Sequence, residues 1–175
     1  HIWTSPRIAM DLCRVIADTL AQADPAHAQE YQDRLAAYLR ELTDLDRAFR
    51  DTVEAGQRHL LVFGDRFPFA YFTHRYGIEA FAAFPGCSHE TEPAAGTMSE
   101  LIDRVREGNI GTVFYTELSN HAVADAIADD TGAKTAMLHS CSNVTREEFD
   151  RGETYLSLMR QNLRTLEEAY AHAAD

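Results

Sequence analysis

The chain reads as an α/β protein, with a four-stranded parallel sheet, helices on both faces, and a short and a long helix in front. Three observations predict this. From His59 onward, short apolar runs alternate with helical periodicity. The intervening segments are long enough for right-handed crossovers between parallel strands. The runs also stop at polar or metal-capable residues: Gly64-Asp65, Thr116-Glu117, Leu138-His139, and Phe84 ahead of Pro85-Gly86-Cys87-Ser88-His89. In an open α/β sheet, ligands bind at the carboxyl ends of the strands. Asp65, His89, Glu117 and His139 are thereby expected along one edge.

Thr4-Ser5-Pro6 reads as a helix start, a hydroxyl cap followed by proline in the first turn. This helix is expected to run to about residue 21, with Ile8, Leu12, Val15, Ile16 and Leu20 on one side. Asp24-Pro25 starts a second helix by the same logic. Its apolar stripe is Tyr31, Leu35, Tyr38, Leu42, Leu45, Phe49 and Val53, and it ends near Gly56. Such a helix is ~45 Å long at 1.5 Å per residue. That length suits a strut between two lobes better than a coiled coil, because the seam is short and holds two tyrosines.

Strands are expected near 60–64, 80–84, 112–116 and 135–139, and helices near 67–76, 97–107, 120–131 and 146–171. The segments divide as 1–23, a first helix; 24–56, a long linking helix; and 57–175, an α/β lobe.

The chain has 175 residues, enough for one domain with a real core. Its formal charge of −12 excludes a basic stripe for nucleic acid. No apolar run is long enough to span a membrane. The three cysteines include no CxxC pair, so a zinc cluster or disulfide scaffold is not expected. Cys13 reads as core. Cys87 and Cys141 both follow strands, so a disulfide between them is one alternative.

Each candidate has a plainer reading. Asp65 could cap the next helix or pair with Arg66. His139 could be a surface or hydrogen-bonding residue, and His89 a solvated loop residue. Glu117 could cap a helix or line the cleft. His27, His59, His74, His121 and His172 read as surface or helix-end residues. Enzyme signatures are thin: there is no GxSxG elbow, phosphate-binding glycine loop or HExxH. A Cys87–His89 nucleophile pair lacks an orienting third group. An enzyme using Asp65 and His139 as acid and base would need a closed pocket.

Several stretches carry a family likeness. His1-Ile2-Trp3-Thr4-Ser5-Pro6 resembles the "DPHxWxxP" segment of the zinc/manganese substrate-binding proteins of bacterial ABC importers. Tyr31 to Leu45 looks like their linking helix. Phe67-Pro68-Phe69-Ala70-Tyr71-Phe72 with Tyr76-Gly77-Ile78 looks like their "HDAFxYFxxxYGL" segment. Glu92-Pro93, Val113 to Glu117 and Ile127 to Gly132 match in order and spacing.

The resemblance implies a two-lobed, non-enzymatic receptor, with 1–23 the remnant of an amino-terminal lobe and 57–175 the carboxy-terminal lobe, that captures Zn²⁺, with Mn²⁺ as second choice, and delivers it to an ABC permease. It implies a location on the outer face of the membrane or in the periplasm, with the parent tethered by a lipid anchor. An adhesin-like surface protein, with metal structural or absent, is the alternative. The ligands it implies here are His1, Asp65 and His139, with a further ligand from an amino-terminal lobe. Asp65 then replaces a usual histidine and His139 a usual aspartate. An imidazole-rich donor set suits tetrahedral zinc. The absent lobe implies weak metal binding by this chain alone. It also implies an exposed apolar face on the first helix and self-association through it.

Overall fold

The computed structural model describes residues 1–56, 59–84 and 93–171. A one-turn 3-10 helix, Ile2–Thr4, leads into α1, Pro6–Ala23. A second short turn, Pro25–His27, leads into α2, Ala28–Ala55. The alternating part follows as β1 Leu60–Arg66, α3 Ala70–Tyr76, β2 Glu79–Phe84, α4 Ala95–Glu107, β3 Thr112–Tyr115, α5 Ala122–Thr131 and β4 Lys134–Met137. Two helices close the chain, α6 Arg146–Asp150 and α7 Tyr155–Ala171.

The four strands are parallel in the order β2-β1-β3-β4. β1 is central and buried along its length, as a strand covered on both faces must be. Its side chains alternate between two cores. Leu61 and Phe63 join Leu42, Phe49, Phe72, Phe114 and Met159 on the face covered by α2, α3 and α7. Val62 joins Val113, Leu101, Val105 and Ile127 on the face covered by α4 and α5. Gly64 is required here, because a Cβ would stand 2.3 Å from Ala124 Cα. Its bare backbone lets α5 seat directly on β1, one residue before Asp65.

Ser5 caps α1 as expected, accepting from the Ile8 N–H at 3.5 Å, with Pro6 at the first helical position. The apolar side of this helix is exposed in part, as the resemblance implied. Ala9, Met10 and Ala17 are buried, whereas Val15, Ile16 and Leu20 are exposed. Met10 reaches the core that holds Leu42, Leu45 and Phe49, and it sets which side of α1 turns inward. An apolar groove of 240 Å³ runs between the two helices, lined by Ile16, Leu20, Leu35 and Tyr38 among others.

The stripe on α2 divides in two. Leu42, Leu45, Phe49 and Val53 enter the core, while Tyr31, Leu35 and Tyr38 are only half-buried.

The single helix expected over 146–171 is two helices. Gly152 adopts φ 73°, which ends α6. Thr154 and Ser157 then exchange hydrogen bonds of 2.8 and 3.2 Å around the start of α7. The helix expected from 67 begins at Ala70. No helix among the described residues is long and apolar enough to cross a membrane.

Candidate metal centre

Strand order reverses between β1 and β3, since β1 leads to β2 on one side and neighbours β3 on the other. Crevices at such a switch point are where open α/β sheets hold ligands. Asp65 stands there. It is 4% exposed. The Arg66 N–H donates to its Oδ1 at 2.7 Å, and the Thr116 N–H and hydroxyl donate to its Oδ2 at 2.8 and 2.6 Å. Asp65 thus ties the ends of β1 and β3. It does not cap α3, whose N-cap is Phe69; toward Arg66 it accepts the backbone N–H.

One strand further, Glu117 performs a similar tie. Its carboxylate accepts the Ser140 N–H at 2.7 Å and the Ser140 hydroxyl. Glu117 therefore neither caps α5 nor lies free; it binds the end of β3 to the loop after β4.

His139 is wholly buried, which corrects its reading as a surface residue. Asn162 of α7 accepts its backbone N–H at 2.7 Å and donates to its carbonyl at 2.8 Å. The ring Nδ1 accepts the Cys141 N–H at 2.9 Å. A neutral ring that accepts at Nδ1 carries its proton on Nε2. That Nε2 has no hydrogen-bond partner among the described residues, and Glu148 Oε1 stands 3.6 Å away. Glu148 meanwhile closes a capping box with Thr145. The Thr145 backbone N–H, ahead of the other influences, holds the Glu148 carboxyl below its usual range.

Cys141 has φ 58° and is a free thiol, which burial first, then the charges of Glu117 and Glu148, push up to about 12. Cys87, weighed as its disulfide partner, lies outside the described residues, as do His89 and His172.

His1 lies at the same end of the molecule. Its ring tilts against Trp3 at 5.4 Å between centroids, and the Trp3 indole N–H donates to the Ser140 carbonyl at 3.0 Å. His27, His59, His74 and His121 are exposed, as expected for surface residues. His27 and His121 each pair with a nearby aspartate at 2.8 Å.

The strand ends thus bring Asp65, Glu117 and His139 to one edge, and Trp3 brings His1 toward it. They are not gathered into a cage. Among the described residues, no three His, Cys, Asp or Glu side chains stand together closely enough to hold a metal ion. Asn162, Trp3 and Tyr155 carry this edge and escaped the sequence reading. Asn162 had a signal, being an amide on the buried stripe of Leu158, Met159 and Leu166.

Residues 1–169 match the model of one protein family, zinc-uptake complex component A, periplasmic. The chain belongs to this zinc-uptake family. It is 28% identical over 169 residues to the high-affinity zinc uptake system protein ZnuA of Bacillus subtilis, covering 97% of this chain and 52% of that protein. The crystal structure of the metal-dependent lipoprotein YcdH of B. subtilis aligns with a TM-score of 0.84 at 28% identity, over 97% of this chain and 64% of that one. The Zn(II)-bound ZnuA-like domain of Streptococcus pneumoniae AdcA aligns with a TM-score of 0.80 at 29% identity, over 97% and 63%. The chain thus spans about half the length of the B. subtilis zinc-uptake protein. The parallel α/β architecture expected from the strand ends is the fold of these structures.

Proposed function

We propose that this chain is the metal-receiving α/β lobe of an extracytoplasmic zinc receptor that hands its ion to an ABC permease. It binds and does not catalyse. The observation that carries the reading is the set of donors at the sheet edge. Among the described residues, the hydrogen bonds that Asp65 and Glu117 accept come from backbone amides and hydroxyls. Two carboxylates held this way leave negative charge at a switch-point crevice, which favours a divalent cation. The family membership and the zinc-bound AdcA domain support the same assignment.

His1, Asp65 and His139 are the ligands proposed from this chain, with Zn²⁺ preferred over Mn²⁺. Loading them asks for a defined local change. Asp65 must share an oxygen now engaged by Arg66 or Thr116. His139 must surrender the Cys141 N–H, because ligation through Nε2 moves the ring proton to Nδ1. The parent is proposed to sit outside the cytoplasmic membrane on a lipid anchor; that two relatives are named lipoproteins supports the anchor.

Zinc titration of the full-length protein with Asp65→Ala and His139→Ala variants tests the reading. Each is expected to weaken binding tenfold or more, about 1.4 kcal/mol. Unchanged affinity in both would leave the edge a structural tie only. The exposed Val15, Ile16 and Leu20 support a subsidiary proposal, that copies of this chain associate through α1. A single sedimenting monomer at every concentration would refute it.

A further inference from the structure

We infer that Trp3 is a positioning residue for zinc: it locks His1 to the loop after β4, so that His1 and His139 offer their donors as one unit. This rests on the receptor reading above.

The segment that carries His1 has little structure of its own. It is a single 3-10 turn of three residues, and its internal bonds are the Thr4 N–H and hydroxyl, which donate to the His1 carbonyl at 3.1 and 2.8 Å, and the Ser5 N–H to Ile2 at 3.2 Å. An isolated turn of this length does not hold its shape in water. Beside the burial of Thr4 and Ser5, two long-range bonds tie it to the rest of the fold, both made by Trp3. The indole N–H donates to the Ser140 carbonyl at 3.0 Å, and the Trp3 carbonyl accepts the Tyr155 hydroxyl at 2.7 Å. These bonds reach across 137 and 152 residues of chain.

Both anchor points are themselves fixed. Ser140 is 4% exposed and gives its N–H and hydroxyl to Glu117. Tyr155 opens α7 and packs against the core that includes Met10 and Leu138. Ser140 also follows His139 directly. The indole bond therefore joins the His1 turn to the residue next to the other imidazole, while the Trp3 ring supports the His1 ring. A ligand held in advance loses less conformational freedom on binding. Trp3 and Tyr155 supply that order without donating to the metal.

The test is a double-mutant cycle read by zinc competition with a chromophoric chelator, on the full-length protein. Trp3→Phe keeps an aromatic ring and deletes the indole N–H. It is expected to weaken zinc about fivefold, the loss of one hydrogen bond of about 1 kcal/mol. In a His1→Ala background the same substitution is expected to change affinity less than twofold. Tyr155→Phe should behave the same way and serves where Trp3→Phe lowers the folded yield. A Co²⁺-loaded sample should show altered visible bands in Trp3→Phe with His1 present and none with His1 absent. Equal losses in both backgrounds, or no loss in either, overturn the inference. If His1→Ala alone leaves zinc affinity unchanged, His1 is not a ligand, and the reading of His1 fails together with the inference. If His1→Ala weakens zinc but the cycle is additive, only the role of Trp3 fails.

Discussion

Two aspartates are buried among the described residues, Asp46 and Asp65, and the molecule treats them differently. Asp46 on α2 is 8% exposed and is met by cations. Arg75 donates to both of its oxygens, at 3.0 and 2.6 Å, Tyr76 adds a bond at 2.9 Å, and Arg50 stands 3.6 Å away. Burial works against the charged carboxylate, yet the Arg75 and Tyr76 bonds and the two arginine charges hold it below its usual range. Among the described residues, Asp65 and Glu117 at the sheet edge receive amide and hydroxyl donors. The first site is met by arginines and joins helices. The second is tied by neutral donors, and it sits where a parallel sheet presents ligands. Burial of a carboxylate therefore does not mark function by itself; the kind of partner does.

The comparison can be broken by substitutions of graded severity. The largest effect is expected at Gly64, which has no role in charge. Gly64→Ala drives a methyl into the α5 backbone. A stability loss of about 3 kcal/mol in urea unfolding is expected, with the edge displaced as well. Next comes Asp46→Ala, which strands Arg75 and Tyr76 and should cost about 2–3 kcal/mol. Its zinc affinity should stay within twofold of the parent.

Asp65→Asn reverses that pattern. The amide oxygen still accepts from Thr116, but the amide NH2 then faces the Arg66 N–H, so stability should fall by about 1–2 kcal/mol, while zinc binding falls at least tenfold. Equal stability losses for Asp46→Asn and Asp65→Asn would erase the distinction drawn above.

The pH dependence sharpens it. A carboxyl depressed on folding contributes stability above its ordinary value of 3.8, and that stability is lost as pH falls through the folded value. Asp46→Asn should therefore flatten the acid limb of the stability curve. The smallest effect is expected at the outer face of α1. Val15→Ser, Ile16→Ser and Leu20→Ser should each move stability by about 0.5 kcal/mol or less, since these side chains are already exposed.

What could be read from sequence follows from how local each cause is. The Ser5-Pro6 start, the α2 stripe from Leu42 to Val53, and the four strands depend on periodicity and caps, which a single segment carries. The sheet edge was legible for a related reason, because strand ends are local and parallel topology aligns them. The buried face of α1 was not legible. Choosing Ala9, Met10 and Ala17 over Val15, Ile16 and Leu20 depends on Met10 reaching the core that holds Leu42, Leu45 and Phe49. The break at Gly152 was masked by helical pattern on both sides.

Partners were hardest. That Asp65 meets Thr116, Glu117 meets Ser140, and Trp3 meets Ser140 and Tyr155 depends on pairings across 23 to 152 residues. Likewise, the residue types at His139 gave no hint that its Nδ1 would be spent on the Cys141 N–H.

The most direct test of the central claim is crystallography of the zinc-loaded full-length protein, with anomalous data collected on both sides of the zinc edge. The account predicts one strong anomalous peak at the carboxyl end of the sheet, about 2.0–2.2 Å from His1, Asp65 and His139 donor atoms. The Cys141 N–H should be released from the His139 ring. A zinc peak elsewhere, with Asp65 still bonded to Thr116 and His139 still holding Cys141, would contradict it.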